Sequence, residues 1–176
     1  MNRVQLEHVI RASASIAEDD EIYVLGSQSI LGAIPDAPEE VTVSAEADVA
    51  PKNKPELQEI IEGAIGELSP FHVTFGYYVD GVDPSALPLP TGWQSRVVIV
   101  QNENTRFAKG LCLEPHDCAA SKLIAGRAKD LGFVAALLRH KLVRADVLRE
   151  RIHQVQPYQE RIPDAVAALE RMVSVQ

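Results

Sequence analysis

The sequence predicts an α+β domain, and three observations carry that prediction. Short β-branched or aromatic runs recur as far as Leu113, at "EIYV", "VTVSAEADV", "FHVTFGYYV", "SRVVIVQ" and "KGLCL". Segments with apolar residues at helical spacing lie among them. Beyond Pro115 the strand pattern stops and only helical segments remain.

Taken in order, Val4 to Ala17 repeats apolar residues near a helical period and stops at the acidic group Glu18, Asp19, Asp20. Glu21 to Leu25 reads as a buried strand that empties into Gly26-Ser27. Ser27 to Ala33 then reads as a short helix with Ser27 as its N-cap. Glu40 to Val49 alternates apolar and polar residues, which predicts a strand with Glu46 and Asp48 on one face. Pro55 to Leu68 is amphipathic, with Pro55 suited to a first helical turn. Phe71 to Val79 reads as a strand, followed by a Pro- and Gly-rich loop and the strands around Val98 and Lys109. Pro115 opens a helical region that runs on to "HKL", and two more helices follow at about 146–155 and 163–173. A soft boundary near Glu114 divides residues 1–114, which carry the strands, from the helical residues 115–176. The two are expected to pack as one compact unit.

Composition narrows the function. With 46% hydrophobic and 24% charged residues the chain has enough apolar material for an ordinary core. The formal net charge of -8 argues against a broad nucleic-acid-binding face. Two cysteines, Cys112 and Cys118, form no CxxC pair, so they suit a reducing compartment and a role as small buried hydrophobes. No stretch has the length of a membrane span and the N-terminus lacks an apolar signal region, which predicts a cytoplasmic protein with no membrane partner.

Three local features can carry chemistry. The Gly26-Ser27 corner after a strand offers backbone N–H groups and the hydroxyls of Ser27 and Ser29 to an anion. Glu46 and Asp48, two residues apart on a strand, can converge on a hard divalent cation such as Mg2+. In "SKLIAGRAKDLGFV", Lys122 and Lys129 are seven residues apart and share a face if the helix is continuous, while Arg127 and Asp130 are placed to pair. That cationic face suits phosphate. His72, Tyr77 and Tyr78 read as packing residues and His116 as a capping or core residue.

The order of these features resembles the nucleotidyltransferase fold of the DNA polymerase β type, with Leu25-Gly26-Ser27 and Glu46-Ala47-Asp48-Val49 standing at its Gly-Gly/Ser and paired-acid positions. "FGYYVDGV", "NENTRFAKGLCLEPHD" and "SKLIAGRAKDLGFV" look like a bacterial nucleotidyltransferase-like family of unknown function, itself similar to abortive-infection type nucleotidyltransferase toxins. The resemblance implies a mixed β-sheet flanked by helices with a C-terminal helical segment. It implies that Gly26, Ser27, Ser29, Arg127 and Lys129 hold a nucleoside triphosphate, and that Glu46 and Asp48 bind Mg2+. Lys122 would contact phosphate and Asp130 would support the site. The expected reaction transfers a nucleotidyl group to an RNA or protein acceptor. The alternative is an inactive binding protein with a protein partner, as one component of a toxin–antitoxin-like system.

The chain departs from that pattern in three places. Residues 28–45 make a longer spacer than usual, the first acid is Glu, and "SRVVIVQ" lacks the third carboxylate that active members place on a later strand. Asp80, just past "FGYYV", is the one residue offered as its substitute, but a solvated loop carboxylate is the expectation there.

Overall fold

A computed structural model describes residues 1–174. Helix α1 (Arg3–Ala17) begins at Asn2, whose side chain accepts from the Gln5 backbone N–H while the Gln5 side chain accepts from the Asn2 N–H. Its apolar stripe, Leu6, Val9 and Ile10, is wholly buried against the sheet. Each such side chain stabilises the fold by about 1.5–3 kcal/mol.

Strand β1 (Glu21–Val24) leads through a 3₁₀ turn at Ser27–Ser29 into the short helix α2 (Ile30–Ala33). Strand β2 (Glu46–Pro51) follows, then helices α3 (Gln58–Ile65) and α4 (Pro70–Phe75). Strands β3 (Tyr78–Gly81), β4 (Val98–Val100) and β5 (Lys109–Cys112) complete one five-stranded sheet in the order β3-β2-β1-β5-β4. β1 runs antiparallel to β2 and parallel to β5; β2 and β3 are parallel, and β4 and β5 are antiparallel. The sheet is therefore mixed and flanked by helices, the α+β architecture that the sequence predicts.

The two faces of β1 show how the sheet is filled. Ile22 and Val24 point into the cluster shared with α1 and α3. Tyr23 and Leu25 face the other way, toward Trp93, Leu113 and Cys118. The chain ends in α5 (Pro115–Ala125), α6 (Ala128–Arg139), α7 (Ala145–His153) and α8 (Ile162–Ser174). These helices share a cluster built on Leu123, Val134, Leu137, Leu148, Ile152 and Leu169, and Ile30 and Val41 reach into it from the N-terminal part. Among the described residues no helix is long and apolar enough to cross a membrane.

Four elements differ from the sequence reading. Phe71–Val79 is not one strand: Phe71–Phe75 lies in α4 and the strand begins at Tyr78. The Ser69 side chain accepts from the His72 N–H, Pro70 fills the first helical position, and Gly76 ends the helix at φ 76°. Those end signals outweigh the aromatic and β-branched content between them. The alternating run from Glu40 becomes a strand only at Glu46, because Pro38 starts a 3₁₀ turn over Glu39–Val41. The helix expected from Pro55 to Leu68 is a 3₁₀ turn followed by α3, which ends at Ile65.

Last, the helical region after Pro115 breaks at Gly126, which takes φ 69° as the C-cap of α5. Lys122 and Lys129 therefore lie on two helices and not on one helical face.

Candidate functional site

The site forms where β1 ends beside the start of β2. The Leu25 N–H donates to the Asp48 carbonyl at 2.9 Å, which sets the Gly26 corner against Asp48. A Cβ built on Gly26 would lie 1.5 Å from Asp48 Oδ2. Gly26 has an extended backbone (φ -86°, ψ -163°), so only the close approach of the carboxylate requires glycine here. Gly26→Ala is expected to push the Asp48 carboxylate out of place and abolish any Mg2+-induced rise in melting temperature, read by thermal denaturation with and without the ion. An unchanged response would show that Asp48 has room to move.

Parallel pairing of β2 with β3 supplies the rest. Glu46 stands opposite Tyr78 and Asp48 opposite Asp80. Glu46, Asp48 and Asp80 each offer an oxygen within 4.8 Å of the others. Asp80 is thus a half-buried strand residue inside the acidic cluster, not the solvated loop carboxylate expected. The third carboxylate missing from β4 comes instead from β3.

The charges register this crowding. Burial, then the neighbouring Glu46 and Asp80 carboxylates, push Asp48 up to about 6 against the pull of Lys122. Asp80 is also raised, by burial and by Glu46 and Glu62, with Lys129 opposing. Tyr78 donates its hydroxyl to Glu46 Oε2 at 3.2 Å and lies against His72, with ring centroids 4.6 Å apart and the planes tilted by 45°. Burial and the Glu46 charge hold the phenol at about 12, so it stays a donor. Tyr78 does more than pack, which only the cross-strand register reveals.

A cationic wall faces these acids. Lys122 Nζ from α5 donates to Asp130 Oδ1 at 2.9 Å, and Arg127 Nε donates to Asp130 Oδ2 at 2.5 Å. Asp130 is 1% exposed. Burial alone would raise its pKa, but the hydrogen bonds from Arg127 and Lys122 outweigh that and hold it below the usual carboxylate range. Burial likewise opposes the charge on Lys122, and Cys118, Asp130 and Asp48 together raise its pKa all the same. Removing one member strands the other's charge, so Asp130→Asn is expected to destabilise the fold by about 3 kcal/mol near neutral pH. The depressed pKa means that this contribution is present above the ordinary Asp value and lost as pH falls through the folded one. Urea titrations at pH 7 and pH 3 check this, and an equal gap at both would contradict it.

A cavity of about 580 Å3 joins the two walls, a size suited to a small-molecule ligand. Ser27, Glu46, Asp48, Asp80, Lys122, Arg127, Lys129 and Asp130 all line it. The structure thus gathers most of the expected residues although Gly126 splits their helix. Ser27 is the first residue of a 3₁₀ turn whose N-cap is Gly26, not itself an N-cap. Ser29 is fully buried and lies outside the cavity lining.

Three remaining expectations concern packing. Cys112 and Cys118 are buried free thiols, pushed by burial up to about 12 and about 11. His116 bridges helix ends, with Nδ1 2.7 Å from Glu114 Oε1 and Nε2 accepting from the Arg144 N–H. Tyr77 is buried beside His8, 2.7 Å from its Nδ1.

The sequence matches the family described as nucleotidyltransferase of unknown function (DUF6036) over residues 4–170. No curated protein and no solved structure matches the chain.

Proposed function

The chain belongs to this nucleotidyltransferase family, and from that premise we propose that its cavity binds a nucleoside triphosphate with Mg2+ and transfers a nucleotidyl group to a hydroxyl on an RNA or protein acceptor. The observation that carries the reading is the cluster of Glu46, Asp48 and Asp80 facing Lys122, Arg127 and Lys129 across one cavity. Three carboxylate oxygens within 4.8 Å fit a hard divalent cation, and the raised pKa of Asp48 reflects burial first and then acidic charge that such an ion would neutralise. When bound, Mg2+ would offset the charge that develops on the phosphates.

The protein's own groups divide the remaining work. Arg127, 61% exposed in its side chain, and Lys129 are placed to meet phosphate oxygens. Lys122 keeps its charge through Asp130, so the buried pair holds a cation at the base of the cavity. Tyr78 orients Glu46 by occupying one of its oxygens. The acceptor oxygen forms a bond to the α-phosphorus as the bond from that phosphorus to the bridging oxygen breaks. Pyrophosphate leaves, and the acceptor's proton passes to a carboxylate of the cluster.

The non-catalytic alternative drew its force from a missing third carboxylate, and Asp80 beside Asp48 weakens it. Calorimetric titration of each nucleoside triphosphate, with and without Mg2+, beside an Asp48→Ala variant, tests the proposal. Binding that needs both Mg2+ and Asp48 supports one composite site, and labelled-nucleotide transfer to RNA and protein fractions then identifies the acceptor. Absence of binding by every triphosphate would overturn it and direct attention to protein partners.

A further inference from the structure

Helix α6 carries a glycine for which the protein itself gives no reason. Gly132 sits in the interior of Ala128–Arg139, where glycine is a poorer helix former than alanine. A left-handed backbone or tight packing usually explains such a residue. Gly132 is not among the positive-φ glycines, and a Cβ built on it meets no atom within 4 Å. Gly26, next to the cavity-lining Ser27, is the opposite case, because there the protein's own carboxylate fills the space. Gly132 is exposed and is one of the residues that line the cavity.

We infer that Gly132, with Phe133 beside it, forms the wall against which the nucleoside part of the substrate lies, so that Gly132 sets how closely the base and sugar approach α6; this rests on the triphosphate reading above. The chemistry of the lining supports that orientation. Lys129, one helical turn before Gly132, opposes the charge of Asp80 and belongs with the phosphates. Gly132, Phe133, Val41 and Val43 give the cavity its non-polar lining. Lys122 Nζ lies 5.4 Å from the Phe133 ring centroid, so the ring joins the cationic wall to the apolar one. A ligand with a flat, weakly charged part and a polyanionic part matches this division, and an aromatic ring accepts the face of any base. A side chain at position 132 would occupy the volume of the flat part and leave the phosphate contacts alone.

Gly63 provides a control. It also lies inside a helix, α3, with nothing within 4 Å of an added Cβ, and it does not line this cavity. The test compares wild type with Gly132→Ala, Gly132→Leu and Gly63→Ala. Each is titrated in Mg2+ with ATP, GTP, CTP, UTP and inorganic tripolyphosphate, which lacks a nucleoside. Alanine at either position is expected to raise the melting temperature of the free protein by about 2–4 °C through helix propensity.

Gly63→Ala should leave every affinity unchanged. Gly132→Leu should weaken the triphosphates that wild type binds by about tenfold or more, with a smaller loss for Gly132→Ala, and leave tripolyphosphate binding intact. Wild-type nucleotide affinity in Gly132→Leu would overturn the inference, and so would an equal loss of tripolyphosphate. If wild type binds tripolyphosphate and gains nothing from the nucleoside, this inference alone fails. If it binds neither, the triphosphate reading fails with it.

Discussion

Asp48→Asn is expected to make the metal-free protein more stable at pH 8, while removing its response to Mg2+. The carboxyl titrates at about 6 in the fold against 3.8 when unperturbed. A raised carboxylate pKa means that the native state binds the proton more tightly than the unfolded state does. The ionised form therefore opposes folding: the penalty is absent below the unperturbed value, grows between the two, and is fully present above pH 6. The difference corresponds to an upper figure of about 3 kcal/mol. Asparagine keeps the shape without the charge, so a gain of about 1–3 kcal/mol is expected at pH 8, shrinking toward zero near pH 4. Thermal and urea denaturation across that range measure it. Millimolar Mg2+ should raise the melting temperature of wild type and not of the variant. A variant less stable than wild type at pH 8 would mean that the Lys122 attraction outweighs burial and the neighbouring acids.

Asp80→Asn separates the catalytic reading from the binding one. Asp80 stands opposite Asp48 in the β2–β3 register, and its pKa is also raised by burial and by Glu46. Losing one unfavourable charge should leave the metal-free fold at least as stable as wild type. If Asp80 takes the acceptor's proton, nucleotidyl transfer should fall by about 10²–10⁴-fold with triphosphate binding largely kept. If it holds the cation, the Mg2+ concentration needed for binding should rise in step with the lost rate. Labelled-nucleotide turnover measured against Mg2+ concentration distinguishes the two. Wild-type turnover at all Mg2+ concentrations would remove Asp80 from the reaction altogether.

Much of this site is legible in the sequence, because its parts are local. A strand ending at Gly26-Ser27, acids two apart at Glu46 and Asp48, and the Lys122 to Asp130 segment each depend on near neighbours along the chain. Tyr78 was not legible as a site residue, and Asp80 only as the less favoured stand-in for a third carboxylate. Each acquires its role by pairing with a residue of β2 that is distant in sequence, and the intervening helices α3 and α4 fix that register. The α4 error has a related origin. Phe71–Phe75 has strand composition, and the cap at Ser69 and the turn at Gly76 decide its conformation.

The sequence by itself determined the α+β class, the positions of β1, β4 and β5, and the candidate phosphate and cation groups. Hydrophobic period, glycine breaks and residue chemistry act over a few residues and need no partner. Only the tertiary structure decided that Asp80 completes the acidic cluster, that Gly26 makes room for Asp48, and that Lys122 and Lys129 meet at one cavity from separate helices. Those facts depend on strand register and on contact between distant segments, where a shift of one residue would turn a side chain to the opposite face.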